Sequence, residues 1–101
     1  MIVDTHAHIY HGNEVKYPMK DEPFRPISGV GTIEHLRREA QENGVDRVVL
    51  VQTGSAYRWD NRLLADTARD NAAWTVGVCT LDPAGDDSPD ELARLVAGYN
   101  V

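Results

Sequence analysis

Ile2-Val3-Asp4-Thr5-His6-Ala7-His8 is the stretch on which the fold turns. Ile, Val and Thr are β-branched and favour an extended backbone, so Ile2 to Thr5 opens the chain as a short strand. In a strand, residues two apart point to the same face. His6 and His8 therefore present two imidazoles side by side, close enough to share one metal ion. Asp4 shares that face and is placed to accept a hydrogen bond from a ligand's second ring nitrogen, fixing its tautomer. An isolated His-x-His is as often two surface histidines that happen to alternate, but this pair ends a first strand and precedes a long loop, which is where α/β folds build their sites.

Outward from that strand the pattern alternates. Arg47 to Gln52 and Thr75 to Leu81 are short, almost continuously apolar runs, the composition of strands covered on both faces. Ile33 to Asn43 has apolar positions at Ile33, Leu36 and Ala40, with Thr32 as N-cap and Gly44 as stop, which predicts an amphipathic helix. A second helix is predicted from Asn61 to about Arg69, capped by Asp60, with Leu63, Leu64, Ala65 and Ala68 on its buried side. Ser88-Pro89-Asp90-Glu91 reads as a capping box with proline at the first helical position, and Gly98 ends that third helix. Strands alternating with helices of this length indicate βαβ units on a parallel sheet. A doubly wound sheet closes on few strands, whereas a (β/α)₈ barrel runs to about 250 residues; length favours the first and the histidine motif the second.

Composition narrows the function classes. A net charge of −6, with ten Lys and Arg scattered along the chain, argues against a nucleic-acid partner. No run approaches the roughly 18 apolar residues that would span a bilayer, so no membrane partner is expected, and the opening residues form a strand rather than a signal segment. The expected location is cytoplasmic. The lone Cys79 lies in an apolar run and reads as a small buried hydrophobe.

The irregular segment His11 to Gly31 carries three prolines and three glycines, and a loop of that length in a compact domain is usually functional. Gln52, at the carboxyl end of the second strand, is positioned to bind a substrate carbonyl or carboxylate, or else to bond loop backbone. Ser55 and Tyr57 follow it as further polar contacts, without the elbow that would make Ser55 a nucleophile. His11 and Lys16 read more simply as solvated loop residues, His35 as a helix-flank histidine, and Gly29-Val30-Gly31 as a weak phosphate loop because it lacks a third glycine. Trp59 and Trp74 are expected to pack where the second helix meets the sheet.

Taken together, Ile2 to His8 resembles the first strand of the amidohydrolase superfamily. Tyr17-Pro18, Phe24-Arg25-Pro26, Val49-Leu50-Val51-Gln52 with Ser55 and Asp60-Asn61, and Val76-Gly77-Val78 to Leu81-Asp82-Pro83 are similar to the amidohydrolase-related branch that holds sugar-acid and pyrone-dicarboxylate lactonases. The resemblance implies an α/β fold in which residues 1–101 form the first three βα units, with parallel strands, of a partial TIM-type (β/α)₈ barrel. It implies a metal-dependent hydrolase acting on a lactone or related carboxylated small molecule through metal-activated water, with His6 and His8 as ligands of a divalent ion, commonly zinc. Related branches perform non-oxidative decarboxylation, and some lactonases of this branch work without a metal. The remaining ligands and the catalytic acid of that family lie on later strands, so the chain is expected to be an incomplete barrel. Alone it should be inactive, with an open sheet edge prone to self-association. The alternative from another class is a small non-catalytic α/β module in which both histidines are structural.

Overall fold

The computed structural model describes residues 1–101. Three strands, β1 (Val3–Ala7), β2 (Arg47–Val51) and β3 (Thr75–Val78), and four helices, α1 (Ile33–Glu42), α2 (Gly54–Tyr57), α3 (Arg62–Asp70) and α4 (Ser88–Gly98), follow one another in the order β1-α1-β2-α2-α3-β3-α4. The sheet is parallel throughout, in the order β1-β2-β3. This is the α/β arrangement of a partial TIM-type barrel. No helix is long and apolar enough to cross a membrane.

The helix ends form where the sequence places them, with two exceptions: α3 starts at Arg62 with Asn61, not Asp60, at its N-cap and no side-chain capping bond, and α4 lacks its expected box. Thr32 caps α1 by accepting from the His35 backbone N–H through its hydroxyl, and Gly44, at φ +69, takes the left-handed conformation that stops it. α3 buries Leu63, Leu64, Ala65 and Ala68, the four residues its periodicity selects. The capping box of α4 does not form: the Ser88 hydroxyl donates to the Asp82 carbonyl at 2.7 Å, and Asp87 stands at the N-cap without a side-chain bond. Ser88 is drawn back into its own preceding turn, its hydroxyl spent on that carbonyl. The short helix α2 carries no apolar period and is invisible in the sequence pattern.

One register defect shapes the sheet. Asp4 pairs with Val48 and Ala7 with Leu50, so β1 holds two residues, Thr5 and His6, opposite the single Val49. This is a β-bulge. It places both Asp4 and Ala7 on the side of Val48 and Leu50, which are 1% and 0% exposed beneath the helices. The Asp4 carboxylate accepts from the His6 backbone N–H at 3.0 Å, partnering a donor that the bulge takes out of the ladder.

The core lies between the sheet and its helices: Val48, Leu50, Leu63, Leu64, Ala68 and Trp74 belong to one cluster, with Cys79 packed against it, and burial pushes the Cys79 thiol pKa up. Trp74 caps the junction of α3 and β3, with the Arg37 guanidinium 4.6 Å above its ring. Trp59 does not join it. It stands 47% exposed in the turn after α2, where Arg58 adopts φ 48 and diverts the chain from the sheet. The second departure is larger. β2 and β3 read as strands covered twice, yet Val76 and Val78 on the face away from α3 are 41% and 47% exposed. The shortest principal extent, 19 Å, is that of two layers at about 10 Å each, one sheet and one helical layer.

The long loop after β1 is fastened down. Tyr10 N–H donates to the Gly31 carbonyl at 2.8 Å and Lys20 N–H to that of Ala56 at 2.8 Å, while the Tyr17 hydroxyl donates to Asp66 on α3 at 2.7 Å. Gly31 is required twice over, by φ +79 and by the Tyr10 ring only 2.9 Å from where a Cβ would sit. Burial first, and the Asp66 carboxylate second, push the Tyr17 phenol from 10.0 up to about 12. The fold thus favours protonated Tyr17, and its contribution is complete below pH 10 and lost as pH rises through about 12. Tyr17→Phe should cost about 1 kcal/mol in urea unfolding at neutral pH, and the gap between the two proteins should narrow across that alkaline window.

Candidate functional site

The bulge carries the next residues with it. Since Ala7 faces the helices, alternation sets His6 and His8 on the opposite, open side of the sheet. Both are exposed. Their Nε2 atoms lie 3.2 Å apart, with ring centroids at 4.9 Å and planes at 85°. The His8 Nδ1 lies 2.9 Å from the Val51 carbonyl at the end of β2; because a carbonyl only accepts, Nδ1 carries the hydrogen and Nε2 keeps its lone pair. Backbone anchoring of this kind orients metal-binding imidazoles. With its Nδ1 protonated, His8 accepts through Nε2 from the His6 Nε2–H.

The spacing allows a test of fit. Two nitrogens each about 2.05 Å from a tetrahedral zinc lie about 3.3 Å apart, and the observed separation is 3.2 Å. The pair fits half of such a site. No group of three or more His, Cys, Asp or Glu gathers anywhere in the chain to complete it.

Asp4 does not support either imidazole. The bulge turns it to the helical side, where its carboxylate holds the His6 backbone N–H, and the Val51 carbonyl performs the orienting task instead. A backbone acceptor on another strand leaves no signal in the sequence. Gln52 takes the second of its two expected roles, bonding loop backbone. It is 5% exposed, and its amide nitrogen donates to the Arg58 and Asp60 carbonyls at 3.0 and 2.8 Å, spending both N–H groups on the loop between α2 and α3. Only its acceptor oxygen remains. Ser55 is exposed on α2.

Other residues secure the strand ends. The Thr53 hydroxyl donates to the Ile9 carbonyl at 2.8 Å, tying the chain beyond His8 to β2. Asn61 clamps Thr80 from both sides, its amide donating to the Thr80 carbonyl and its oxygen accepting the Thr80 N–H. His11 accepts the Asn13 N–H through Nδ1, Lys16 lies over the Tyr17 ring, and His35 accepts the Gly31 N–H, so Gly29 to Gly31 is a helix lead-in. Two open cavities, of about 250 and 470 Å³, flank the loop and share His11; neither includes His6 or His8.

Among solved structures, the chain is similar to a probable 2-pyrone-4,6-dicarboxylic acid hydrolase from Acinetobacter baumannii, crystallised with citric acid bound. The TM-score is 0.76 over 99% of this chain, at 18% sequence identity. The likeness is one of fold. This chain spans 35% of that protein's length. No protein-family model matches the chain, and no curated protein does.

Replacing Gln52 by Ala should destabilise the protein by about 1–3 kcal/mol in urea unfolding, the cost of removing a buried side chain that holds two loop carbonyls. A residue serving only to meet substrate would leave stability unmoved.

Proposed function

We propose that this chain supplies the first metal-ligating strand of a metal-dependent hydrolase that opens lactones or related carboxylated small molecules. The observation that carries the reading is the His6 and His8 pair, set at the spacing of two zinc ligands with His8 anchored on Val51. The fold likeness to a probable pyrone-dicarboxylic acid hydrolase supports it, and the citric acid in that crystal suits a preference for substrates bearing several carboxylates. His6 and His8 would hold the ion through Nε2. Bound there, a divalent ion lowers the pKa of a water from 15.7 to about 7 and polarises a carbonyl. The chain's own contribution is to fix ring orientation through the Val51 carbonyl and to leave the Gln52 oxygen as an acceptor at the same strand end. Catalytic zinc takes three protein ligands and a water, so the third ligand and the base come from beyond these strands.

Zinc titration followed by the imidazole NMR signals of the four histidines tests the site. His6 and His8 should shift together and His11 and His35 should not; signals of the pair that stay fixed in a large zinc excess would sink the reading. The 101-residue chain should turn over no lactone by itself. In a polypeptide that carries residues 1–101 with further strands, zinc-dependent lactone hydrolysis should vanish on His6→Ala.

A further inference from the structure

Three residues other than glycine adopt positive φ, Glu22, Arg58 and Asn100, and Arg58 is the one that follows β2. It closes α2 at φ 48 and ψ −117, near the values of about +60° and −120° that belong to the first central residue of a type II′ turn. The Asp60 N–H donates to the Tyr57 carbonyl at 2.9 Å across that turn. Glycine is the usual occupant of the position, because a Cβ is disfavoured there. Another residue persists in such a conformation only where its surroundings impose it, and positions of this kind gather at ligand clamps and active sites. Here the brace comes from within the chain: the buried Gln52 amide donates to the carbonyls of Arg58 and Asp60 at 3.0 and 2.8 Å. The turn therefore does not depend on any layer that covers the sheet.

Place and charge give this arginine a task. Gln52 follows Val51, whose carbonyl anchors His8, so the side chain that braces the turn is rooted one residue beyond the group that orients the imidazole. Both stand at the carboxyl ends of the strands, where barrels gather their sites. Arg58 is exposed and takes part in no ion pair, whereas Arg25, Arg62, Arg69 and Arg94 each hold a carboxylate. The nearest acid in sequence, Asp60, is engaged on both oxygens by Arg62 at 2.9 and 2.6 Å. The Arg58 guanidinium is thus a planar fork of donors without an acceptor, the group that meets a carboxylate in two parallel bonds. We propose that Arg58 receives a carboxylate of the substrate and so selects carboxylated over neutral lactones, the strained turn and its Gln52 brace fixing its place at the strand end that anchors His8. This inference rests on the hydrolase reading and deepens it by giving the substrate's charge a partner.

Citrate is the probe, titrated into the 101-residue chain at constant ionic strength while NMR follows the guanidinium and backbone signals of every arginine. The Arg58 signals should shift and saturate. Those of Arg38 and Arg47, equally exposed and free of ion pairs, should move little, and trimethyl citrate, which carries no carboxylate, should move none. Arg58→Gln keeps a side chain in the turn but removes the charge, and should weaken citrate binding, read at the Trp59 and Asp60 amides, about tenfold or more. Arg58→Gly should lose the binding as well and raise the urea midpoint, since glycine takes the turn without strain. A response that never saturates, that Arg38 and Arg47 share evenly, that trimethyl citrate reproduces or that survives Arg58→Gln would overturn the proposal, as would an Arg58→Gly chain no more stable than the parent. Inert Arg58 signals beside a zinc-responsive histidine pair would sink this inference alone, whereas an inert histidine pair would sink the reading beneath it.

Discussion

A side-chain period of two leaves a strand no intermediate course: one extra residue sends everything beyond it to the other face. In β1 that residue falls between Asp4 and Ala7, and the rest of the site depends on it. Upstream, Asp4 lies with the helices; downstream, His6 and His8 lie on the open side. Without the bulge the carboxylate and both imidazoles would share one face, either all on the open side or all against an apolar layer containing Ala40, Val48 and Leu50. The carboxylate that the bulge displaces also holds the His6 N–H, so Asp4 supports the site through its backbone rather than through a ring.

The remaining polar contacts hold the strand ends in register. Thr53 reaches from the end of β2 to Ile9, Gln52 gathers the turn after α2, and Asn61 clamps the residue beyond β3. Each uses a short side chain to satisfy main-chain groups that have left the ladder, in a layer where an unpaired group would cost about 1–3 kcal/mol. All three contacts lie at the carboxyl ends of strands, the side on which His8 finds the Val51 carbonyl. The long loop is held from outside by Tyr17 on Asp66, so its anchoring is independent of the histidine pair.

What the sequence discloses is what depends on neighbours along the chain. The helix cap at Thr32, the stop at Gly44, the buried quartet of α3 and the strand-helix alternation are local, and all are found in the structure. What it withholds depends on partners distant in sequence. The bulge is a relation between β1 and β2, some 44 residues apart at the Asp4–Val48 pair. Gln52 lies at a strand end, where periodicity cannot distinguish a side chain aimed at substrate from one that bonds two loop carbonyls. The Ser88 box fails because the Asp82 carbonyl takes the hydroxyl. The proximity of His6 and His8 was legible from their spacing; the identity of the group that orients His8 was not, since any residue's carbonyl would serve.

The valine strands and the histidine pair express one incompleteness in two chemistries. Burying apolar surface stabilises by about 25 cal/mol per Å², so the exposed block of Val76 and Val78 favours whatever covers it, without regard to direction. Two imidazoles at ligand spacing favour a cover that also brings nitrogen or oxygen donors, and they constrain its position closely. A covering layer that supplied one further ligand would leave a bound ion a place for water; one that supplied two would close it. The number of donors facing His6 and His8 would therefore decide between an open and a closed ion, and neither the valines nor the bulge would need to change.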